Sequence, residues 1–141
     1  MNNAAAAITP ETTLGEVMTT DLAMLNADDN LRVVDELMTR RGLRHFPVLD
    51  GNRLAGVICQ ADLLCSSVVL LSRGDSPREA LSKILVRDVM KPAETAPPET
   101  SIYEAARRMV EAAVKCLIVV ENKEILGIVS RTDLLRALAR N

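Results

Sequence analysis

Two aspartates, Asp62 and Asp133, hold the same place in a nine-residue stretch that the chain uses twice: Gly56-Val-Ile-Cys-Gln-Ala-Asp-Leu-Leu64 and Gly127-Ile-Val-Ser-Arg-Thr-Asp-Leu-Leu135. An ionised carboxylate has two acceptor oxygens and no donor, so one such group can accept from two neighbouring hydroxyls together. The same residues have a second reading. Ser130-Arg-Thr-Asp133 has the spacing of a capping box, in which Asp133 reaches back to the backbone N–H of Ser130. Spacing alone leaves the two roles evenly matched. The first copy tilts the balance modestly toward binding, because its cap position is Cys59, a poor cap, and Asp62 is present nonetheless.

Around these residues the repeat holds for a whole supersecondary unit. At an offset of 71, Leu31 falls on Ile102, Met38 on Met109, Arg44 on Lys115, Val48 on Val119 and Leu54 on Ile125, and Val17-Met18 matches Val89-Met90 at 72. This is an internal duplication. Each copy has only about 50 residues, too few to bury a comfortable core alone, so the copies are expected to fold against each other.

The elements that must position the aspartates follow from local signals. Thr13 and Glu16 frame a short helical turn. After a strand at Leu25, Asp28-Asp29-Asn30 offers N-caps for a helix to Arg41, with Leu31, Val34, Leu37 and Met38 at helical spacing and Gly42 as its stop. His45 to Leu49 is a strand, Asp50-Gly51-Asn52 a hairpin turn, and Leu54 to Cys59 the returning strand. A helix over about 60–73 carries Ala61 to Leu71, apolar on more than one face, which implies burial on two sides. Ser76-Pro77-Arg78-Glu79 starts a helix predicted to reach about Val86. The second copy repeats the pattern: a strand near Thr95, a Pro97-Pro98 turn, a capping box at Ser101 and Glu104, a helix to Ala113, strands Cys116 to Val120 and Ile125 to Ser130, and a helix from Arg131 to Arg140. The predicted fold is α/β (α+β): two β-α-β-β-α repeats packed with pseudo-twofold symmetry into one module. Its expected divisions are a flexible N-terminus over 1–12, repeat one over 13–73, a linker helix over 74–86 and repeat two over 87–141.

Composition narrows the function classes. With 48% hydrophobic and 26% charged residues the chain is ordinary globular protein. A net charge of −2 gives no basic footprint for nucleic acid. Cys59, Cys65 and Cys116 are odd in number and lack zinc-knuckle or CxxC spacing, so they read as reduced thiols of a cytoplasmic protein. No apolar stretch approaches the 18 or so residues that a membrane span requires. A single His, no P-loop and no Ser/His/Asp or Cys/His constellation with a second base argue against an enzyme, so no catalytic or metal residues are assigned and no cofactor is required.

A duplicated β-α-β-β-α unit ending in Gly-hydrophobic-hydrophobic-Ser-x-x-Asp, preceded by Arg44-His-Phe-Pro-Val-Leu-Asp50, resembles a cystathionine β-synthase (CBS) domain pair, also called a Bateman module, over roughly Leu14 to Leu138. The resemblance implies adenosine-containing ligands in two clefts between the repeats, a homodimer, and a regulatory role toward another protein. AMP, ADP or ATP, or S-adenosylmethionine, is the implied ligand. On this reading Asp62 and Asp133 take the ribose hydroxyls. The cleft of repeat two is assigned Thr20, Ala23, Leu43, Lys115, Ser130 and Asp133. That of repeat one is assigned Arg44, His45, Cys59, Asp62, Thr95 and Val114. Arg44, His45 and Lys115 face the phosphate tail, where Arg offers a planar fork of donors and Lys a point charge. With one Tyr, one Phe and no Trp, aliphatic packing must hold the base.

Two departures from the family pattern stand out. Cys59 replaces the Ser or Thr of repeat one, and Cys116 replaces the His of repeat two, so each cleft is weakened in a different place. A constitutive dimerisation or scaffold module with vestigial clefts is therefore the alternative. The dimer is expected on the helix Ala61 to Leu71 and on Leu134 to Leu138.

Overall fold

The computed structural model describes residues 8–64 and 74–139. In chain order its elements are α1 (Leu14–Val17), β1 (Leu25–Asn26), α2 (Leu31–Arg41), β2 (His45–Asp50), β3 (Arg53–Cys59), α3, described over 60–64, α4 (Pro77–Ser82), α5 (Val86–Val89), β4 (Thr95–Ala96), α6 (Ile102–Ala112), β5 (Cys116–Glu121), β6 (Glu124–Ser130) and α7 (Arg131–Ala139). The expected flexible run before residue 8, most of the two-sided helix Ala61 to Leu71, and Arg140 lie outside the described residues.

The chain divides into two compact units that cut across the repeats. Leu22–Ala93 form the first, and the residues through Asp21 together with those from Glu94 onward form the second. Each unit thus takes its short leading helix from the other repeat: α5 belongs with β1–β3, and α1 with β4–β6.

Each unit holds a three-stranded sheet, β1-β2-β3 or β4-β5-β6. The first pair in each is parallel and the second antiparallel, as expected for β-α-β followed by a hairpin. The registers match at the offset of the duplication, His45 facing Cys59 and Cys116 facing Ser130. The second hairpin turns through Asn122 and Lys123, both at positive φ (50° and 65°), a conformation that matches the twist of the flanking strands.

Helix starts follow their caps. Asn30 accepts from the Arg32 N–H at 3.0 Å, and Ser101 Oγ accepts from the Glu104 N–H at 3.1 Å. The Glu104 carboxylate does not complete the expected box; it turns along the helix to Arg107 and Arg108. The helix predicted to reach Val86 ends at Ser82. The reason is a competing backbone partner: Leu31 N–H donates to Ile84 O at 3.0 Å and Val86 N–H to Asp29 O at 2.7 Å, which pulls residues 83–85 out of the helix.

Each unit has its own core. Phe46, the chain's single Phe, is fully buried with Leu25, Leu31, Val34, Val48, Ile58 and Val86 in the first. In the second, Leu14, Leu117, Val119 and Val129 are fully buried beside Ala105 and Met109. At about 1.5–3 kcal/mol for each large apolar side chain buried, these inner faces dominate the stability of sheets so small. Val86 and Leu14, from the exchanged segments, are among the fully buried residues, so each unit depends on the segment lent to it.

Candidate ligand-binding sites

The two aspartates sit one turn into the helices that follow β3 and β6. At the end of β6, Ser130 N–H donates to Asp133 Oδ2 at 2.8 Å and Asp133 N–H donates to Ser130 Oγ at 3.1 Å. The capping box is therefore formed. At the end of β3, Cys59 N–H donates to Asp62 Oδ2 at 2.9 Å, and the Cys59 thiol donates to the same oxygen at 3.2 Å. Burial, and then the hydrogen bond to the Asp62 carboxylate, push the Cys59 thiol above its ordinary range. Asp62 is buried, and Ser130 equally so; Asp133 is half-buried.

A short segment from outside the hairpin reaches each carboxylate. Thr19 bridges Ile128 with paired backbone bonds of 2.9 and 3.0 Å, and Lys91 bridges Val57 with two of 2.9 Å. The glycine that opens each nine-residue stretch makes these approaches possible. A Cβ on Gly127 would stand 2.7 Å from Met18 Sδ and 2.9 Å from Thr19 O; one on Gly56 would stand 2.7 Å from Lys91 O.

Held in this way, Thr19 Oγ1 donates to Asp133 Oδ1 at 3.4 Å, with Arg136 a longer ion pair at 3.8 Å. In the first unit Lys91 Nζ stands 3.2 Å from Asp62 Oδ1. Thr19, Lys91 and Arg136 were not among the sequence candidates, although the Val17-Met18 and Val89-Met90 match ends one residue short of the first two.

The segments before β2 and β5 also meet the helix starts. Gln60 N–H donates to Arg44 O at 3.1 Å and Arg131 N–H to Lys115 O at 3.0 Å. The first unit thus brings together Arg44, His45, Cys59 and Asp62, and the second brings together Lys115, Ser130 and Asp133, with Thr20 next to Thr19. Arg44, Lys115, Thr20 and Thr95 are exposed, His45, Leu43 and Val114 half-buried, and Ala23 buried. Ala23 and Leu43, assigned with Asp133 by the resemblance, belong to the first unit, and Thr95 and Val114, assigned with Asp62, to the second.

The second unit also carries an apolar groove of about 510 Å³ between α6 and α7, floored by Met109 and Leu134 and rimmed by Val110, Leu135 and Leu138. Those rim residues are 81%, 67% and 54% exposed. Among the described residues no group of three or more His, Cys, Asp or Glu is placed to hold a metal ion, and no helix is long and apolar enough to cross a membrane.

The CBS domain model matches the chain twice, over residues 14–69 and 86–140. The chain belongs to the CBS-domain family. Its fold is similar to the CBS domain of a CBS-domain-containing membrane protein from Sphaerobacter thermophilus, with 28% identity and a TM-score of 0.76 over 92% of this chain and 89% of that one. It is likewise similar to CBSX2 in complex with AMP, with 27% identity and a TM-score of 0.70 over 91% and 96% of the two chains. A homoserine O-acetyltransferase of Methanococcoides burtonii is 28% identical over 129 residues, which are 90% of this chain and 24% of the enzyme. The chain spans 40% and 24% of the first two curated relatives it matches.

In this CBS pair the two repeats share backbone geometry and differ in chemistry. Cys59 faces His45 where Ser130 faces Cys116, and a lysine meets one carboxylate where a threonine meets the other.

Proposed function

We propose that this CBS pair is a regulatory module that binds an adenosine nucleotide through its aspartates and works as a cytoplasmic homodimer without catalysis of its own. The observation that carries the reading is the surrounding of Asp133. Its Oδ2 is fixed by the Ser130 N–H, while Oδ1 is met by the distant Arg136 guanidinium at 3.8 Å and by the Thr19 hydroxyl at 3.4 Å, well beyond the 2.5–2.7 Å of a strong O–H···O⁻ bond. A ribose diol can make shorter bonds to the same carboxylate, so exchange of a weak internal donor for two ligand hydroxyls favours binding. Lys115 and Arg44, both exposed and both joined by their carbonyls to a helix start, are the cations for a phosphate tail. A related CBS structure that contains AMP supports the ligand class. AMP, ADP, ATP and S-adenosylmethionine share the adenosine that this chemistry selects.

The homodimer rests on the apolar rim of α6 and α7, because exposed apolar surface of this kind is stabilised by a second packing surface and isologous pairing buries it on both copies.

Thermal melting with each ligand tests the proposal. A ligand at about 100 times its Kd stabilises the native state by roughly 2.7 kcal/mol, which for a chain of this size raises Tm by about 5–15 °C. No rise with any of the four at millimolar concentration overturns it in favour of a scaffold module, a reading favoured by the internal partners that Asp62 already has.

A further inference from the structure

The duplicated carboxylates invite a direct comparison of what each already holds. An ionised carboxylate offers about four acceptor positions. At Asp133, Ser130 N–H takes one and the Thr19 hydroxyl weakly takes another, while the paired cation, Arg136, stays at 3.8 Å from Oδ1. At Asp62, the Cys59 N–H and thiol both point to Oδ2, and Lys91 Nζ stands 3.2 Å from Oδ1. Both oxygens of Asp62 are thus engaged by donors of the chain itself, one of them a full positive charge.

We propose that Lys91 is an internal latch on Asp62, closing the repeat-one carboxylate to a vicinal diol and leaving Asp133 as the high-affinity site. The inference rests on the adenosine-binding reading above. The backbone of Lys91 is fixed by its two bonds to Val57 and by the close approach at Gly56, so the side chain starts from a defined place. The Asp62 side chain is 7% exposed and that of Lys91 66% exposed. A nearly buried anion without its cation is costly, because little water replaces the partner, whereas the exposed ammonium loses little when it swings into solvent. The latch therefore opens only to a ligand that supplies Asp62 with donors at once. At Asp133 the same position holds Thr19, an uncharged hydroxyl, and displacing it leaves the longer Arg136 pair at 3.8 Å in place, so no charge is stranded.

The test uses adenosine as probe, since it lacks a phosphate that Lys91 could attract, and an Asp133→Ala background that silences the other site. Adding Lys91→Thr, the residue of the other repeat, or Lys91→Met, which keeps the length without the charge, is expected to raise adenosine affinity at least tenfold by calorimetry. Adding Asp62→Ala should abolish the gain. AMP titrations of the wild type and of Asp133→Ala run alongside. If the wild type binds AMP through Asp133 and neither Lys91 variant gains affinity for adenosine, the latch is overturned and the binding reading stands. If no variant binds either ligand, both fall.

Discussion

The Thr19 hydroxyl donates to Asp133 Oδ1 at 3.4 Å, joining positions 114 residues apart in the chain. Thr19 gets there because its backbone pairs with Ile128 beside Gly127, which has no room for a side chain. Gly127→Ala and Gly56→Ala should each destabilise the chain by about 1–3 kcal/mol, the range for forcing extra atoms into packed surroundings. Backbone oxygens are among the atoms struck, so relaxation cannot be confined to a side-chain tip. Urea unfolding reads the loss directly. A Gly127→Ala chain that unfolds like the wild type would show that the Thr19 segment is not held as described.

Asp133 has two duties that can be separated by measurement. Loss of its cap in Asp133→Ala should cost about 0.5–2 kcal/mol of stability. Loss of charge-assisted bonds to a ligand should cost a further 1.5–3 kcal/mol of adenosine-nucleotide binding, or roughly 10–150-fold in Kd. Lys115→Ala should instead weaken ATP more than AMP, since its ammonium, in the same unit as Asp133, is a point charge for the tail. Calorimetry on both variants, with melting curves alongside, distinguishes the cases. An Asp133→Ala protein that melts lower and binds normally has an aspartate that only caps; equal losses for AMP and ATP in Lys115→Ala remove its tail role.

The duplication made most of the fold legible. Once Gly56 to Leu64 is aligned on Gly127 to Leu135, a strand and a helix start are placed in each repeat, and both sheets follow from the same offset. What sequence could not supply was the partner at Oδ1 of each aspartate. Thr19 and Lys91 lie beyond the repeated stretch, and their Val-Met neighbours announce a repeat without saying what it touches. The early end of α4 was hidden for the same reason: residues 83–85 leave the helix because Ile84 and Val86 bond to Leu31 and Asp29, which are distant in sequence. Local propensity sees the capping residue and misses the competing partner.

Ala113 closes α6 at φ 54°, and Gly42 closes α2 at φ 65°, 71 positions earlier. The left-handed conformation costs an L-residue about 1–2 kcal/mol, part of which glycine gives back in backbone entropy. Ala113→Gly is therefore expected to stabilise the chain by about 0.5–1 kcal/mol, a rise in Tm of about 2–4 °C. Calorimetric melting checks the sign. A lower Tm would mean that the Ala113 methyl contributes more to the α6–α7 groove than its backbone strain costs.

Cys59 gives a pH dependence with a definite sign. Burial and the Asp62 hydrogen bond keep its thiol protonated to higher pH in the native state than in the unfolded chain. The contribution is whole below the ordinary thiol value of an unfolded chain, about 8.5, and is lost as pH rises from there through the folded value, since the unfolded chain then binds fewer protons. Denaturant unfolding between about pH 8 and 10 should show a steeper loss of stability for the wild type than for Cys59→Ser. Peptide-resolved alkylation should also find Cys59 slower than a free thiol, because the thiolate is the reacting species. Equal slopes in the two proteins would place the thiol's ionisation outside the folding equilibrium.

The helices of the second unit expose the surface on which a homodimer would depend. Val110 on α6 and Leu135 on α7 rim the same apolar groove, at 81% and 67% exposure. Because both point outward, a charge at either position leaves the core of Leu117, Val119 and Val129 intact, and the fold should survive. An isologous interface would bury the same charge once on each copy, so each substitution introduces two charges that must be desolvated. Val110→Glu and Leu135→Glu are thus expected to halve the mass found by light scattering while leaving the far-UV circular dichroism unchanged. If both variants keep the mass of a dimer, the copies pair through another face; if the wild type itself has the mass of one chain across the micromolar range, the homodimer is withdrawn.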